Sequence, residues 1–200
     1  MKKPYADSCD ENKFAISEII DQYLDQIESV FEIGSGTGQH AVFFGNRFSH
    51  LTWQTSDRKQ YHDGIKHWIE DSGLTNVLTP VSLDVSASDW PQEEYDLVFS
   101  ANTTHIMHWN DVIALFNNIS GIMKPSGYFV LYGPFNMDGY FTSESNRQFH
   151  MRLTNRDPDS GIRNFNDLNV LAEKNHLILH KMVDMPHNNK ILIWQKKSFK

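Results

Sequence analysis

The chain has 200 residues, 40% hydrophobic and 22% charged, a formal net charge of -7 and a single cysteine. That length suits one domain, residues 1–200, with a sizeable core, and the acidic balance excludes a global basic field drawing it to nucleic acid or acidic lipid. Cys9 alone excludes an internal disulfide framework.

The opening residues, Met1 to Ser8, lack the apolar core of a signal peptide, and no apolar run is long enough to span a bilayer. A cytoplasmic location is expected. Asp10 to Glu28 reads as an amphipathic helix, with Phe14, Ile19, Ile20, Tyr23, Leu24 and Ile27 at helical spacing and Asp10 as its cap. Ser29 to Ile33 is the first strand and Thr37 to Phe48 the first crossover helix. Leu51 to Ser56 is the second strand, and Gln60 to Ser72 a helix closed by Gly73. Val77 to Leu83 is the third strand. The continuous apolar run Tyr95 to Ala101 suits a central parallel strand buried on both faces. Asn110 to Met123 reads as a helix stopped by Lys124-Pro125-Ser126-Gly127, and Tyr128 to Tyr132 is the fifth strand. Between 133 and 175 the alternation breaks. This insertion, with helices over Ser143 to Leu153 and Asn166 to Lys174, reads as a substrate cover. Leu177 to Val183 and Lys190 to Gln195 close the chain as a hairpin. Alternating strands and helices imply an α/β, doubly wound, mostly parallel sheet, and the hairpin implies one antiparallel strand.

The stretch Val30 to Ala41 organises the rest. A short apolar run is followed by Gly34, Gly36 and Gly38, then a helix start. Glycine accepts φ > 0 and has no Cβ, so a ligand can approach the backbone, and the helix start offers free N–H groups. The dinucleotide fingerprint would need glycine where Gln39 stands. The form present, with Glu32 ahead of the three glycines, resembles the first motif of Rossmann-like S-adenosylmethionine (SAM)-dependent methyltransferases. A tight turn can receive the amino-acid end of that cofactor, with Glu32 holding either the turn or, through a water, the ammonium.

Asp57 ends the second strand about 20 residues past the turn, where a carboxylate can accept both ribose hydroxyls of a nucleoside. By the same resemblance, Asp84 takes the adenine amine with the Val85 N–H nearby. Polar residues from Ser100 through His105 end the fourth strand at the switch point of the sheet. His105, whose ordinary pKa is near neutrality, is the first candidate for a base, with Tyr132 as a second. A role stacked on adenine or bonded to backbone stays open for His105. The pairs His105/His108 and His176/His180 lack a third ligand at zinc spacing, so no metal is expected.

Further segments sharpen the resemblance: Glu11-Asn12-Lys13, Gly36 to Ala41, Trp53 to Asp57, Asn102 to Ile106, Tyr132 to Phe135, Thr142 to Asn146, Gly161-Ile162-Arg163 and Met185 to Lys190. The chain resembles, over nearly its whole length, the domain-of-unknown-function 938 family of methyltransferase-like proteins. In that family's usual E-R-N-x-x-P-I-L form an arginine and a proline stand where this chain has Glu11-Asn12-Lys13-Phe14-Ala15-Ile16. The resemblance implies a class I fold and SAM as cofactor, held by Glu32, Gly34, Ser35, Gly36, Gly38, Asp57, Asp84, Val85 and Asn102. Asn146, Arg156, Arg163 and Asn189 are candidates for a polar substrate pocket beneath the insertion, where either arginine can bind an anion bidentately.

The expected activity is methyl transfer to a small polar molecule, with no nucleic-acid or membrane partner. A SAM-binding regulatory or scaffold protein without turnover is the alternative, because no signature such as Asn-Pro-Pro-Tyr is present. A nicotinamide-dependent oxidoreductase is a further alternative, which Gln39 disfavours. Substrate and oligomeric state are not specified.

Overall fold

The computed structural model describes residues 3–198. In chain order the elements are α1 (Asp7–Leu24), β1 (Ser29–Ile33), α2 (Gln39–Arg47), β2 (Thr52–Asp57), α3 (His62–Ser72) and β3 (Val77–Ser82). They continue with β4 (Tyr95–Ala101), α4 (Trp109–Ile119), β5 (Met123–Gly133), β6 (Phe135–Asn136) and α5 (Glu144–Arg156). The last are β7 (Arg163–Asn164), α6 (Phe165–Lys174), β8 (Leu177–Met185) and β9 (Asn189–Lys196).

Seven strands form one sheet in the order β3-β2-β1-β4-β5-β9-β8. All pairs from β3 to β5 are parallel, and β9 runs against both β5 and β8. This is the doubly wound, mostly parallel sheet expected. The chain moves outward from β1 to β3 and then returns to β4, so a crevice opens at the carboxyl ends of β1 and β4. Strand parity divides the core. Phe31, Val98, Phe129, Leu131, Leu192 and Trp194 face α4 and α6. Val30, Leu97, Phe99, Val130, Ile191 and Ile193 face α1, α2 and α3. Successive strand side chains point to opposite faces, so an apolar run is buried on both.

The structure corrects several boundaries. α1 spans Asp7–Leu24, not Asp10 to Glu28, and its first turn follows Ala6 with no side-chain cap. Asp10 lies within the helix and binds the Tyr5 hydroxyl and the Lys13 ammonium. Phe14, placed on the buried face by periodicity, is 64% exposed and packs edge-on against Phe43; Ile16, Ile20 and Leu24 make the buried stripe. α2 starts at Gln39 because Gly38 takes a left-handed conformation ahead of it. β5 begins at Met123, before the predicted stop. Residues 124–127 bulge out between the Tyr95–Met123 and Leu97–Tyr128 pairs. β6 and β7, unpredicted, pair in parallel as a second small sheet.

The glycine turn is fastened from below. Gly34 and Ser35 both donate backbone N–H groups to the Ser56 carbonyl, at 3.0 and 2.9 Å. The Glu32 carboxylate accepts from Ser35 Oγ at 2.8 Å and Trp53 Nε1 at 3.1 Å. Glu32 is buried, and burial pushes its carboxyl up to about 7 against these two hydrogen bonds.

Two predictions test this account. Ile16→Ala should cost about 2–5 kcal/mol in urea unfolding, whereas Phe14→Ala should cost roughly 1 kcal/mol or less, its ring being mostly in solvent. A carboxyl raised in the folded state favours folding below its unfolded pKa and loses that advantage as pH rises through the folded value. Glu32→Gln keeps an oxygen for both donors, so wild type and variant should be equally stable near pH 4. The variant should lead by about 3 kcal/mol above pH 7, read from unfolding midpoints across that range.

Candidate functional site

The carboxyl ends of β1 to β4 open into a cavity of about 800 Å³. The turn Gly34 to Thr37 lines it. Gly34, Gly36 and Gly38 hold φ of 72°, 58° and 91°, values that favour glycine. A Cβ on Gly34 would lie 2.6 Å from Thr103 Cγ2, whereas a Cβ on Gly36 would meet nothing within 4 Å. The turn is therefore packed at its first glycine and open at its second.

Asp57 stands at the end of β2. Its carboxylate accepts the Gly36 N–H at 2.8 Å and the Arg58 N–H at 2.7 Å. Burial nevertheless raises its pKa. Asp84 follows β3 and accepts from Ser86 Oγ at 2.7 Å and Ser86 N at 3.1 Å, which lowers its pKa. Leu83 and Val85 add buried apolar wall on either side of Asp84. Past β4, Asn102 at φ 58° donates its N–H to the Tyr132 carbonyl at 2.9 Å and lines the cavity with Thr103.

The segment Lys3 to Cys9 straps the opposite side, where Pro4, Ala6, Ser8 and Cys9 line the cavity. Gln39 fixes it by a two-point bond to Ala6, accepting its N–H at 2.7 Å and donating to its carbonyl at 3.3 Å. Trp68 Nε1 donates to the Pro4 carbonyl at 2.7 Å. Lys3 lies 3.8 Å from the Trp68 ring centroid and pairs with Asp71 at 2.8 Å.

Of the residues singled out from sequence, Gly34, Ser35, Gly36, Asp57, Asp84, Val85 and Asn102 line this cavity together. Glu32 and Gly38 lie behind the turn rather than on its wall. His105 is not among the lining residues. Its carbonyl accepts the Gly161 N–H at 2.9 Å, and its ring meets Phe149 edge-on at 5.2 Å. Burial, then Arg163 and Arg156, push His105 down to about 4. The Tyr132 hydroxyl accepts from Asn189 Nδ2 at 2.9 Å, and burial raises its pKa.

Nor do the four pocket candidates reach the cavity. Asn146 Nδ2 donates to Thr142 Oγ1 and to the Asn188 carbonyl, both at 2.9 Å, tying α5 to the β8–β9 turn. Arg163 donates to the carbonyls of Thr104 at 3.0 Å, Asp159 at 2.9 Å and Met107. Arg156 is exposed at the end of α5. At the cavity rim His108 Nε2 is 3.0 Å from Asp157 Oδ2, which raises the His108 pKa. These two and Asp159 bring three ligand-type atoms within 4.8 Å of one another.

Sequence reasoning passed over His40, Cys9 and Asn12. His40 lines the cavity at the start of α2; its Nε2 lies 2.7 Å from Asn12 Oδ1 and its Nδ1 3.8 Å from Cys9 Sγ. The Asn12 side chain also lies near the Tyr132 hydroxyl. The available signal was that Cys9 and Asn12 are three apart on one helix face.

Among solved structures the fold matches an O-methyltransferase family protein from Burkholderia thailandensis, with a TM-score of 0.79 at 14% identity over 96% of this chain. It also matches human N-acetylserotonin methyltransferase in complex with SAM, at 0.77 and 11% over 96%. This chain spans only 60% and 53% of those proteins. A candidate sarcosine dimethylglycine methyltransferase from Galdieria sulphuraria matches at 0.75 and 13%, covering 95% of this chain and 86% of its own. The fold is thus that of the Rossmann-like methyltransferases. The sequence matches, over residues 3–196, the family described as protein of unknown function DUF938, and the chain belongs to that family.

Proposed function

We propose that the cavity binds SAM and that the chain transfers its methyl group to a small polar molecule. One observation carries the reading. The turn is open where Gly36 lacks a Cβ and is flanked by carboxylates at the ends of both β2 and β3. A nucleoside needs acceptors for its hydroxyls and amine, and Asp57 and Asp84 supply them from adjacent strands. About 800 Å³ accommodates a nucleoside with an amino-acid tail and a small second molecule. The lining carboxylates Asp57, Asp63, Asp84, Asp111 and Asp157 face one guanidinium, Arg58, which suits a cationic cofactor. Small-molecule names among the matched methyltransferases, such as N-acetylserotonin, agree with a small substrate.

When bound, SAM supplies a methyl group on a sulfonium, a good leaving group. The chain's part is orientation and exclusion of water, effects that can contribute several kcal/mol to a barrier. The strap and the β4 end wall off the turn from two sides. No support attaches to His105 or Tyr132 as bases, since neither lines the cavity. Gln39, which replaces the third dinucleotide glycine, anchors the strap, and this favours SAM over a nicotinamide.

Calorimetric titration with SAM, S-adenosylhomocysteine and NADH tests the reading. The first two should bind and NADH should not. Asp57→Ala should weaken both by about ten- to a hundredfold, the worth of hydrogen bonds to a charged group. Gly36→Ala should fold, losing about 1–2 kcal/mol for its positive φ, and bind more weakly because its methyl occupies the open side of the turn. NADH binding without SAM binding would overturn the assignment.

A further inference from the structure

Resting on the reading of the cavity as a SAM site, we infer that His40 Nδ1 accepts a hydrogen bond from the ammonium of the cofactor's amino-acid end. His40 is on the wall, 6% exposed, and no role follows for it from the glycine turn alone.

The tautomer comes first. Asn12 Oδ1 is an acceptor only, so His40 Nε2, 2.7 Å away, carries the ring proton. The Asn12 side chain lies near the Tyr132 hydroxyl, which is held by Asn189 at 2.9 Å. Nδ1 is then a bare lone pair. Burial, with a smaller contribution from Lys13, pushes the imidazole down to about 4, so the ring is neutral at physiological pH. Nδ1 faces the Cys9 thiol at 3.8 Å, a weak donor at long range. Burial and Glu32 push that thiol up to about 11, so it remains a thiol and offers no charge. A neutral, poorly satisfied acceptor on a cavity wall calls for a strong donor.

Placement selects the donor. Asp57 and Asp84 end β2 and β3, on one side of β1 in the sheet order. His40 opens α2, its ring edge-on to Phe99 of β4 at 5.9 Å, on the other side. A nucleoside held at Asp57 and Asp84 leaves its tail to cross the glycine turn toward α2. Of the two charged groups on that tail, a lone pair attracts the ammonium and repels the carboxylate.

The test is calorimetric titration of the full chain with S-adenosylhomocysteine, its deaminated analogue and 5′-methylthioadenosine, which lacks the tail. Wild type should prefer S-adenosylhomocysteine to the deaminated analogue by tenfold or more. His40→Phe should erase that preference and leave methylthioadenosine affinity within twofold; His40→Gln, which offers an amide oxygen, should restore part of it. Nitrogen-15 spectra of wild type should show the proton on Nε2. The Nδ1 resonance should move on adding S-adenosylhomocysteine but not methylthioadenosine, a readout that holds even if His40→Phe fails to fold. A preference retained in His40→Phe, an equal loss for all three ligands, or an Nδ1 signal indifferent to the tail would overturn the inference and leave the cofactor reading standing. Failure of wild type to bind any of the three would overturn both.

Discussion

Everything at the cavity depends on one short stretch of left-handed backbone. Three glycines within five residues hold positive φ, and the Gly38 N–H closes the turn on the Ser35 carbonyl at 2.8 Å. Its first two N–H groups, of Gly34 and Ser35, are tied sideways to the Ser56 carbonyl, and Ser35 Oγ both donates to Glu32 and accepts the Ser56 N–H at 3.2 Å. The end of β2 is thereby bonded to the turn, and the residue after Ser56 is Asp57. Turn and carboxylate are one unit, because the bonds that set the first also position the second. The buried Glu32 beneath them is the cost of that arrangement, a carboxyl held in low dielectric by two donors.

A second polar layer crosses the same face of the sheet, where α1 and α2 pack. His40, Asn12, Tyr132 and Asn189 form a chain of contacts from α2 through α1 and β5 to the β8–β9 turn. From there Asn188 accepts from Asn146 of α5. Elements far apart in sequence are thus registered against each other by side-chain amides. The amides of Asn12, Asn146 and Asn189 are buried or half-buried and hydrogen-bonded, as polar groups in an interior must be.

Much of this was legible in the sequence. Continuous apolar runs placed β1, β4 and β5, because two-sided burial leaves no polar face, and Gly73 at φ 66° ended α3 as read. Asp57 and Asp84 could be put at the cavity because a strand end has only one place to go in this topology. α1 was misread because Asp10 imitates a cap while Ala6, which offers no side-chain signal, precedes the helix. The buried stripe runs through Asn12 and Ser17 as well as Ile16 and Ile20, so counting apolar residues shifts the face toward Phe14. His105 looked like a cavity residue from its strand-end position, but Phe149, 44 positions further on, covers it. Cys9 and His40 meet across 31 residues. No local pattern encodes such a contact; only the packing of α1 on α2 creates it.

The two outer strands carry a consequence of a different kind. Among the described residues β3 pairs only with β2, and it holds Pro80, which lacks an N–H to offer a further strand. At the other edge β8 exposes His180, Lys181 and Asp184 along its length, and its register against β9 shifts between Leu179 and Lys181. Unpaired strand edges are templates for another chain's backbone, and proline, charge and irregular register each spoil the template. The sheet is therefore finished at seven strands by its own borders, β3 and β8, neither of which offers a regular edge for a further strand.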